Sequence, residues 1–121
     1  MDPILRKRNI LMVLIGVSGL LLKSWFSDSI SEFTYSYLGN LSVSFAVYFL
    51  VVLGASGRLN KAICAAIALL VVEGFELANG FGIMTNIYDP FDYLANALGV
   101  ALAYFVDVLT SRMILATRSK P

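Results

Sequence analysis

The sequence contains no histidine, one cysteine (Cys64) and few charged residues, and each shortage excludes a class of function. Without histidine there is neither a His-ligated zinc site nor a His-based catalytic triad. One cysteine allows no internal disulfide and no site with several thiolates. A net charge of +1 argues against a nucleic-acid partner. Any chemistry must therefore use carboxylates, amides, hydroxyls, lysine or arginine.

Hydrophobic residues are abundant instead. They make up 59% of the 121 residues, while charged residues make up 14%, against roughly a quarter in an ordinary soluble domain. The sequence predicts a single all-α membrane domain over residues 1–121, a bundle of four transmembrane helices. The predicted spans are about 10–26, 37–54, 61–80 and 90–110. A short interfacial helix is predicted over 27–36, between the first and second spans.

Small and capping residues indicate how these helices start and pack. Asn60 is a predicted N-cap for the third span. Gly16 and Gly19 in the first span predict close approach by a neighbouring helix. In the fourth span a ridge of small residues recurs every four positions, at Ala95, Gly99 and Ala103. This ridge can pack tightly within the bundle or dock onto a larger membrane protein.

Basic residues predict the orientation of the chain. One side holds eight of them, against only Lys23 on the other; the eight are Arg6, Lys7, Arg8, Arg58, Lys61, Arg112, Arg118 and Lys120. Positive charge accumulates on the cytoplasmic side of membrane proteins. The expected location is therefore the inner (cytoplasmic) membrane, with several passes and both termini in the cytoplasm.

Four polar residues at membrane depth form the candidate catalytic site: Glu73, Glu76, Asp92 and Asn96. With a helical rise of ~1.5 Å per residue, Glu76 lies ~22 Å from the start of the third span and Asn96 ~10 Å from the start of the fourth. Because the two helices are antiparallel, all four residues are expected in the outer leaflet. Ionisable residues within membrane spans are costly, so they indicate function by default.

Each of these residues also has a structural interpretation. Glu73 and Glu76 share a helix face and can be an acid/base pair, a proton carrier or an oxygen-rich site for Mg²⁺ or Ca²⁺, or they can simply bond to nearby backbone. Asp92 can balance the helix dipole. Asn96 either bonds to the carboxylates or binds a substrate. No cofactor other than such a divalent cation is expected.

Further polar residues are assigned weaker roles. Asn40 shares a face with Ser44, and the pair can join helices or contact a ligand. Tyr93 can be an interfacial aromatic residue or a ligand contact. Asp107, near the cytoplasmic boundary and Arg112, is predicted to form a surface ion pair.

The third and fourth spans resemble the VanZ-like membrane proteins. The segments that carry the resemblance are Glu73-Gly-Phe-Glu76 and Asp92-Tyr-Leu-Ala-Asn96-Ala-Leu-Gly99, in the same order and within the same four-span plan. The family pattern has Gln at the position of Glu76 and an Arg between the two segments, and this chain lacks both. It also lacks the His and Lys that often precede the family's second helix.

The resemblance implies a role in the cell envelope, linked to resistance to lipoglycopeptides such as teicoplanin. One hypothesis is therefore a protein that acts on or binds a membrane lipid or a lipid-linked envelope intermediate at the outer leaflet. The alternative is a non-catalytic accessory subunit or scaffold that docks onto a larger membrane protein or forms a homo-oligomer. A transporter is a weaker third hypothesis. The sequence leaves open whether the protein is an enzyme.

Overall fold

The computed structural model describes residues 3–23, 32–80 and 91–118, with side chains at 3–22, 37–77 and 91–117. This part of the chain folds into four α-helices: α1 (Pro3–Lys23), α2 (Glu32–Ala55), α3 (Lys61–Gly80) and α4 (Phe91–Arg118). No strand occurs in these ranges. The predicted all-helical fold class is thus confirmed for the described residues.

The connection between α2 and α3 is a tight turn. Ser56 and Gly57 have positive φ angles of 51° and 82°, and the Arg58 amide donates to the Ala55 carbonyl at 2.9 Å. Two consecutive positive φ values are typical of a type I′ turn. Asn60 then caps α3, because its side-chain oxygen accepts from the Ile63 amide at 2.8 Å.

α2 lies at the centre of the bundle and packs against all three other helices. α1 packs mainly on α2, touches α4 only slightly and does not pack on α3 in the described residues. Gly16 faces Ala46 while Gly19 faces Ser42, so α1 and α2 are antiparallel. The starts of α1 and α3 therefore lie at the same end as the last turns of α2 and α4. We call this the basic end, because Arg6, Lys7, Arg8, Arg58, Lys61 and Arg112 belong to it.

Small residues allow the helices to approach closely. A Cβ atom at Gly16 would lie 2.9 Å from the Ala46 Cβ, and one at Gly99 would lie 2.7 Å from both the Leu41 carbonyl oxygen and the Ser44 Cβ. The ridge of Ala95, Gly99 and Ala103 is therefore used inside the bundle, where both alanines are buried. The idea that this ridge docks onto another protein is wrong, because all three of its residues are buried in the described bundle.

The core combines aromatic residues of α2 with small and branched residues of α3 and α4. Its buried members are Tyr48, Phe49, Cys64, Ala68, Val72, Val100 and Ala103. The Tyr48 and Phe49 rings meet edge-on, with centroids 5.1 Å apart. The bulky rings of α2 thus fill the space that the small side chains leave.

The helix bounds differ from the predicted spans at three places. α1 begins at Pro3 rather than near residue 10, since proline is well suited to the first helical position. α2 begins at Glu32, so residues 32–36 continue into the second span. The remainder of the predicted interfacial helix, residues 27–31, lies outside the described residues. α4 continues to Arg118 instead of ending near Thr110, because no glycine or proline interrupts residues 111–118.

The contact at Gly99 predicts a large effect of a single methyl group. Gly99→Ala should lower the free energy of unfolding by about 1–3 kcal/mol, because backbone atoms of α2 must move to admit the Cβ. Gly74→Ala is the matched control: a Cβ there has no atom within 4 Å, and alanine is up to about 1 kcal/mol better than glycine in a helix. Thermal unfolding of both variants in detergent is the measurement. Equal stability of the two would contradict the described α2–α4 packing.

Candidate functional site

Asn96 joins three helices near the end of the bundle opposite the basic end. Its side-chain oxygen accepts a hydrogen bond from the Ser44 hydroxyl of α2 at 3.1 Å. Its side-chain nitrogen donates to the Val72 carbonyl of α3 at 3.4 Å. The amide is 4% exposed, so a residue of α4 is held between α2 and α3 with almost no access to solvent.

The register of α3 against α4 places the other predicted residues around Asn96. Val72 contacts Asn96, and Lys61 contacts Asp107. The two contacts are eleven residues apart on both helices (72 − 61 and 107 − 96), so the helices run antiparallel in constant register. One turn beyond the Val72–Asn96 contact, the same register brings Glu76 of α3 to the level of Asp92 of α4.

The described structure gathers the four candidate catalytic residues in this region, with different degrees of burial. Glu76, Asp92 and Asn96 are 5%, 4% and 4% exposed. Glu73 is half-buried and lies within hydrogen-bonding reach of Asn96. We call Glu73, Glu76, Asp92 and Asn96 the carboxylate–amide cluster.

The two weaker candidates lie beside the cluster. Asn40 is half-buried, one turn before Ser44 on the same face of α2. Tyr93 is half-buried in the first turn of α4. Both therefore belong to the same end of the bundle as the cluster, and their role in binding a ligand stays a prediction.

Two buried polar atoms here have no hydrogen-bond partner among the described residues: Glu73 Oε1 and Asn40 Nδ2. One is an acceptor and the other a donor, so the region can still form bonds of both kinds. Within residues 3–23, 32–80 and 91–118, no group of three or more His, Cys, Asp or Glu residues is arranged to hold a metal ion. The predicted Mg²⁺ or Ca²⁺ site therefore has no set of three such ligands in this part of the chain.

An apolar groove runs along α2 and α4 at this same end. It has a volume of about 480 Å³ and is open along part of its length. Its lining is almost entirely aliphatic and aromatic: Tyr37, Leu38, Leu41, Phe91, Leu94, Ala95 and Leu98. Asp92 and Asn96 neighbour Phe91 and Ala95 in sequence, so the groove and the polar cluster occupy adjacent faces of α4.

A second polar cluster, which the sequence did not predict, is buried at the basic end. Asp107 is fully buried and forms an ion pair with Arg8 at 2.9 Å. The Arg8 guanidinium also donates to the Asp107 carbonyl, to the Thr110 hydroxyl at 2.9 Å and to the Ser111 hydroxyl at 2.8 Å. This arginine therefore binds residues 107–111 of α4 by its charge and by several hydrogen bonds.

Three further groups complete the Asp107 environment. The Tyr48 hydroxyl donates to Asp107 Oδ2, the Ser111 hydroxyl donates to Oδ1 at 2.9 Å, and the Lys61 ammonium lies 3.6 Å from Oδ1. Asp107 thus has a hydrogen-bonding or ion-pair partner on each of the four described helices. The predicted surface ion pair with Arg112 is wrong, because Asp107 is fully buried and Arg112 is exposed.

Some sequence signal for this second cluster exists. Asp107 and Ser111 are four residues apart on one face of α4, and Asp107 interrupts an otherwise apolar run. The partner Arg8 is one of three consecutive basic residues. Such a run is equally typical of the membrane surface, so it does not indicate a buried ion pair. Nothing local distinguishes Arg8 from Arg6 or Lys7.

Comparison of the chain with models of protein families, with curated proteins and with solved structures finds no match. Two of the described helices contain segments that are long and apolar enough to cross a membrane, Tyr37–Ala55 in α2 and Phe91–Thr117 in α4. The composition of these helices therefore indicates membrane association.

The Arg8–Asp107 pair predicts that replacing Asp107 affects stability more than replacing any other acidic residue. Asp107→Ala should lower the free energy of unfolding by about 3–5 kcal/mol, since it leaves Arg8 buried without its counterion. Replacing both partners by apolar residues, as in Arg8→Met with Asp107→Leu, should recover much of this loss. The exposed Arg112→Ala is the control and should change stability by less than about 0.5 kcal/mol. Unfolding in detergent measures all three, and an Asp107→Ala variant as stable as the control would refute the pairing.

Proposed function

We propose that this protein is a VanZ-like membrane protein with four transmembrane helices and both termini in the cytoplasm. Its carboxylate–amide cluster binds the polar head of an amphipathic or lipid-linked cell-envelope component at the outer leaflet. The neighbouring apolar groove between α2 and α4 accommodates part of the ligand's hydrocarbon. In a VanZ-like protein such binding would underlie resistance to teicoplanin-type lipoglycopeptides.

The outer surface of the helices supports the membrane placement. Large apolar side chains are exposed on every described helix, among them Leu14, Leu50, Leu70 and Phe105. Apolar patches of this extent are rare on soluble monomers. α1 and α3 have 21 and 20 residues, so they are ~30 Å long and match the thickness of a hydrocarbon core. Spans for all four helices, with the basic end in the cytoplasm, are consistent with these features.

The burial of Glu76, Asp92 and Asn96 within one small region is the observation on which the proposal depends. Burying polar groups in a low-dielectric interior costs free energy unless they are well bonded. A purely structural bundle can fill these positions with leucine or alanine at no such cost. The presence of two carboxylates and an amide where three helices meet is typical of a site that recognises a ligand.

The chemistry of the cluster favours a head group that donates hydrogen bonds. Carboxylates accept hydrogen bonds, and the described cluster contains no lysine or arginine. Hydroxyl and amine groups of a sugar or peptide head complement such a site. An anionic phosphate is less suited to direct contact, in keeping with the absence of the family's Arg between Glu76 and Asp92. Alternatively, a divalent cation would bridge the ligand and the carboxylates. Binding assays with added Mg²⁺ and with a chelator distinguish this mode from direct hydrogen bonding.

Topology is the first property to test. In a chain whose Cys64 is replaced by alanine, single cysteines at positions 83–87 should react with an impermeant thiol reagent from outside intact cells. Single cysteines at 56–60, in the turn after α2, should react only after the membrane is opened. Labelling in the reverse order would place the carboxylate–amide cluster in the inner leaflet and refute the proposal.

Glu76→Gln tests the role of the cluster. It keeps the size and hydrogen-bonding ability of the side chain but removes the carboxylate, which this chain has where the family pattern has Gln. The fold should therefore persist, while binding of a ligand that is recognised through this carboxylate falls at least tenfold. Lipid-linked envelope intermediates are quantified by mass spectrometry in cells carrying wild type, Glu76→Gln or no copy, at matched expression. Lipids that co-purify with each protein are identified in parallel. Phe75→Leu, an exposed neighbour in α3, is the matched control and should behave as wild type.

Two outcomes would count against the proposal. Identical lipid profiles in all three strains, together with no lipid co-purified with the wild type, would remove the evidence for a ligand. Full function of Glu76→Gln would show that the side chain acts only as a hydrogen-bonding link between helices. Either result favours the second candidate function.

The second candidate is a non-catalytic subunit of a larger membrane complex or of a homo-oligomer. A shallow cavity of about 320 Å³ between α3 and α4 favours it, because small side chains dominate its lining: Ala62, Ala65, Ala66, Leu69, Ala97, Val100, Ala101 and Tyr104. Helices of membrane proteins approach each other closely at such surfaces. Crosslinking from a cysteine at position 66 in intact membranes distinguishes a bound protein helix from lipid.

A further inference from the structure

The starts of α1 and α3 enclose a cavity at the basic end, remote from the carboxylate–amide cluster. α1 and α3 do not pack against each other in the described residues, and a cavity of about 260 Å³ lies between their first turns. Arg8 and Lys61 contribute its positive charges, while Leu5, Val52 and Leu59 make much of the wall apolar. The cavity thus combines cations with an apolar surface.

The charges around this cavity do not balance. Arg8 and Lys61 share one carboxylate, Asp107, which leaves one positive charge in excess. Arg8 uses its donors on Asn9, Asp107, Thr110 and Ser111. The excess charge therefore lies mainly on Lys61, which has fewer bonding partners than Arg8 has.

The geometry of Lys61 leaves it available to a ligand. Its ammonium group lies 3.6 Å from Asp107, longer than a hydrogen bond, and its side chain is 40% exposed. Lys61 is also the first residue of α3, where the helix dipole attracts negative charge. Arg58, exposed in the adjacent turn, adds to the positive potential. These features all favour an anion at this position.

We infer that the cavity between α1 and α3 binds the phosphate of an anionic phospholipid from the cytoplasmic leaflet, with Lys61 as the principal contact. The apolar wall formed by Leu5, Val52 and Leu59 favours a lipid over a soluble phosphate. Basic pockets between membrane helices on the cytoplasmic side are suited to such head groups. The inference depends on the membrane orientation proposed above but not on the ligand of the carboxylate–amide cluster.

Native mass spectrometry of the full-length protein in detergent tests this site. The probes are phosphatidylglycerol and phosphatidylcholine with identical acyl chains. The wild type should retain phosphatidylglycerol preferentially, and Lys61→Gln should bind it about fivefold more weakly, the change that corresponds to the ~1 kcal/mol contributed by one lysine near an anionic surface. Lys61→Arg should restore binding. Arg112→Gln removes an equally basic but exposed residue of the same end and should bind as the wild type does.

Three outcomes would overturn the inference. Equal retention of the two lipids by the wild type would show that no anion is selected. Equal losses in Lys61→Gln and Arg112→Gln would indicate diffuse attraction to the basic end instead of a site. Displacement of the lipid by equimolar sn-glycerol 3-phosphate would assign the cavity to a soluble phosphate.

Glu76→Gln separates this inference from the proposed function. It should bind phosphatidylglycerol as the wild type does, since Glu76 lies one turn beyond Val72, at the other end of α3. If Glu76→Gln proves inert in cells while Lys61→Gln changes lipid binding, both proposals hold independently. If Glu76→Gln itself loses phosphatidylglycerol, the two sites are not separate and the present inference fails.

Discussion

A carboxylate that is completely withdrawn from solvent must be compensated inside the fold, and Asp107 imposes this requirement on all four helices. Arg8 supplies the opposite charge, and Tyr48, Ser111 and Lys61 complete the environment. α1 otherwise packs almost wholly on α2. The pair with Asp107 is therefore what fixes the first turns of α1 relative to α4, and breaking it would leave an uncompensated charge on whichever partner remains.

The sequence predicts the number and approximate positions of the described helices better than it predicts the residues at which they begin and end. Apolar runs reveal the position of α3 and the centres of the other helices, and Asn60 marks the start of α3. The ends of α1 and α4 are missed because hydropathy reports where the hydrocarbon core ends, whereas a helix continues until its backbone is interrupted. α4 therefore runs on through residues 111–118, which contain good helix formers.

The two polar clusters differ in predictability for a physical reason. Glu73, Glu76, Asp92 and Asn96 stand out because each interrupts an apolar stretch at helical spacing, and antiparallel neighbours bring them together. The Arg8–Asp107 pair joins residues that are 99 positions apart, so no local pattern contains it. The burial of the Ala95–Gly99–Ala103 ridge inside the bundle is likewise not predictable, because a ridge of small residues indicates close packing but does not identify the helix that packs there.

The clusters occupy two levels of the bundle, ~16 Å apart along α3 and α4, given eleven residues between their contacts. Three acidic residues and an amide occupy one level, and two cations around one carboxylate occupy the other. This division gives the two ends opposite electrostatic character. The four helices of the described residues can in this way present different polar chemistry at their two ends while they keep one continuous core.

The separation of Arg8 and Asp107 along the chain also has a consequence for biosynthesis. Arg8 is synthesised 99 positions before Asp107. Until α4 has been made, the guanidinium of α1 has no counterion from that helix. The ion pair can therefore form only after synthesis has passed residue 107, so it couples the first turns of α1 to the completion of α4.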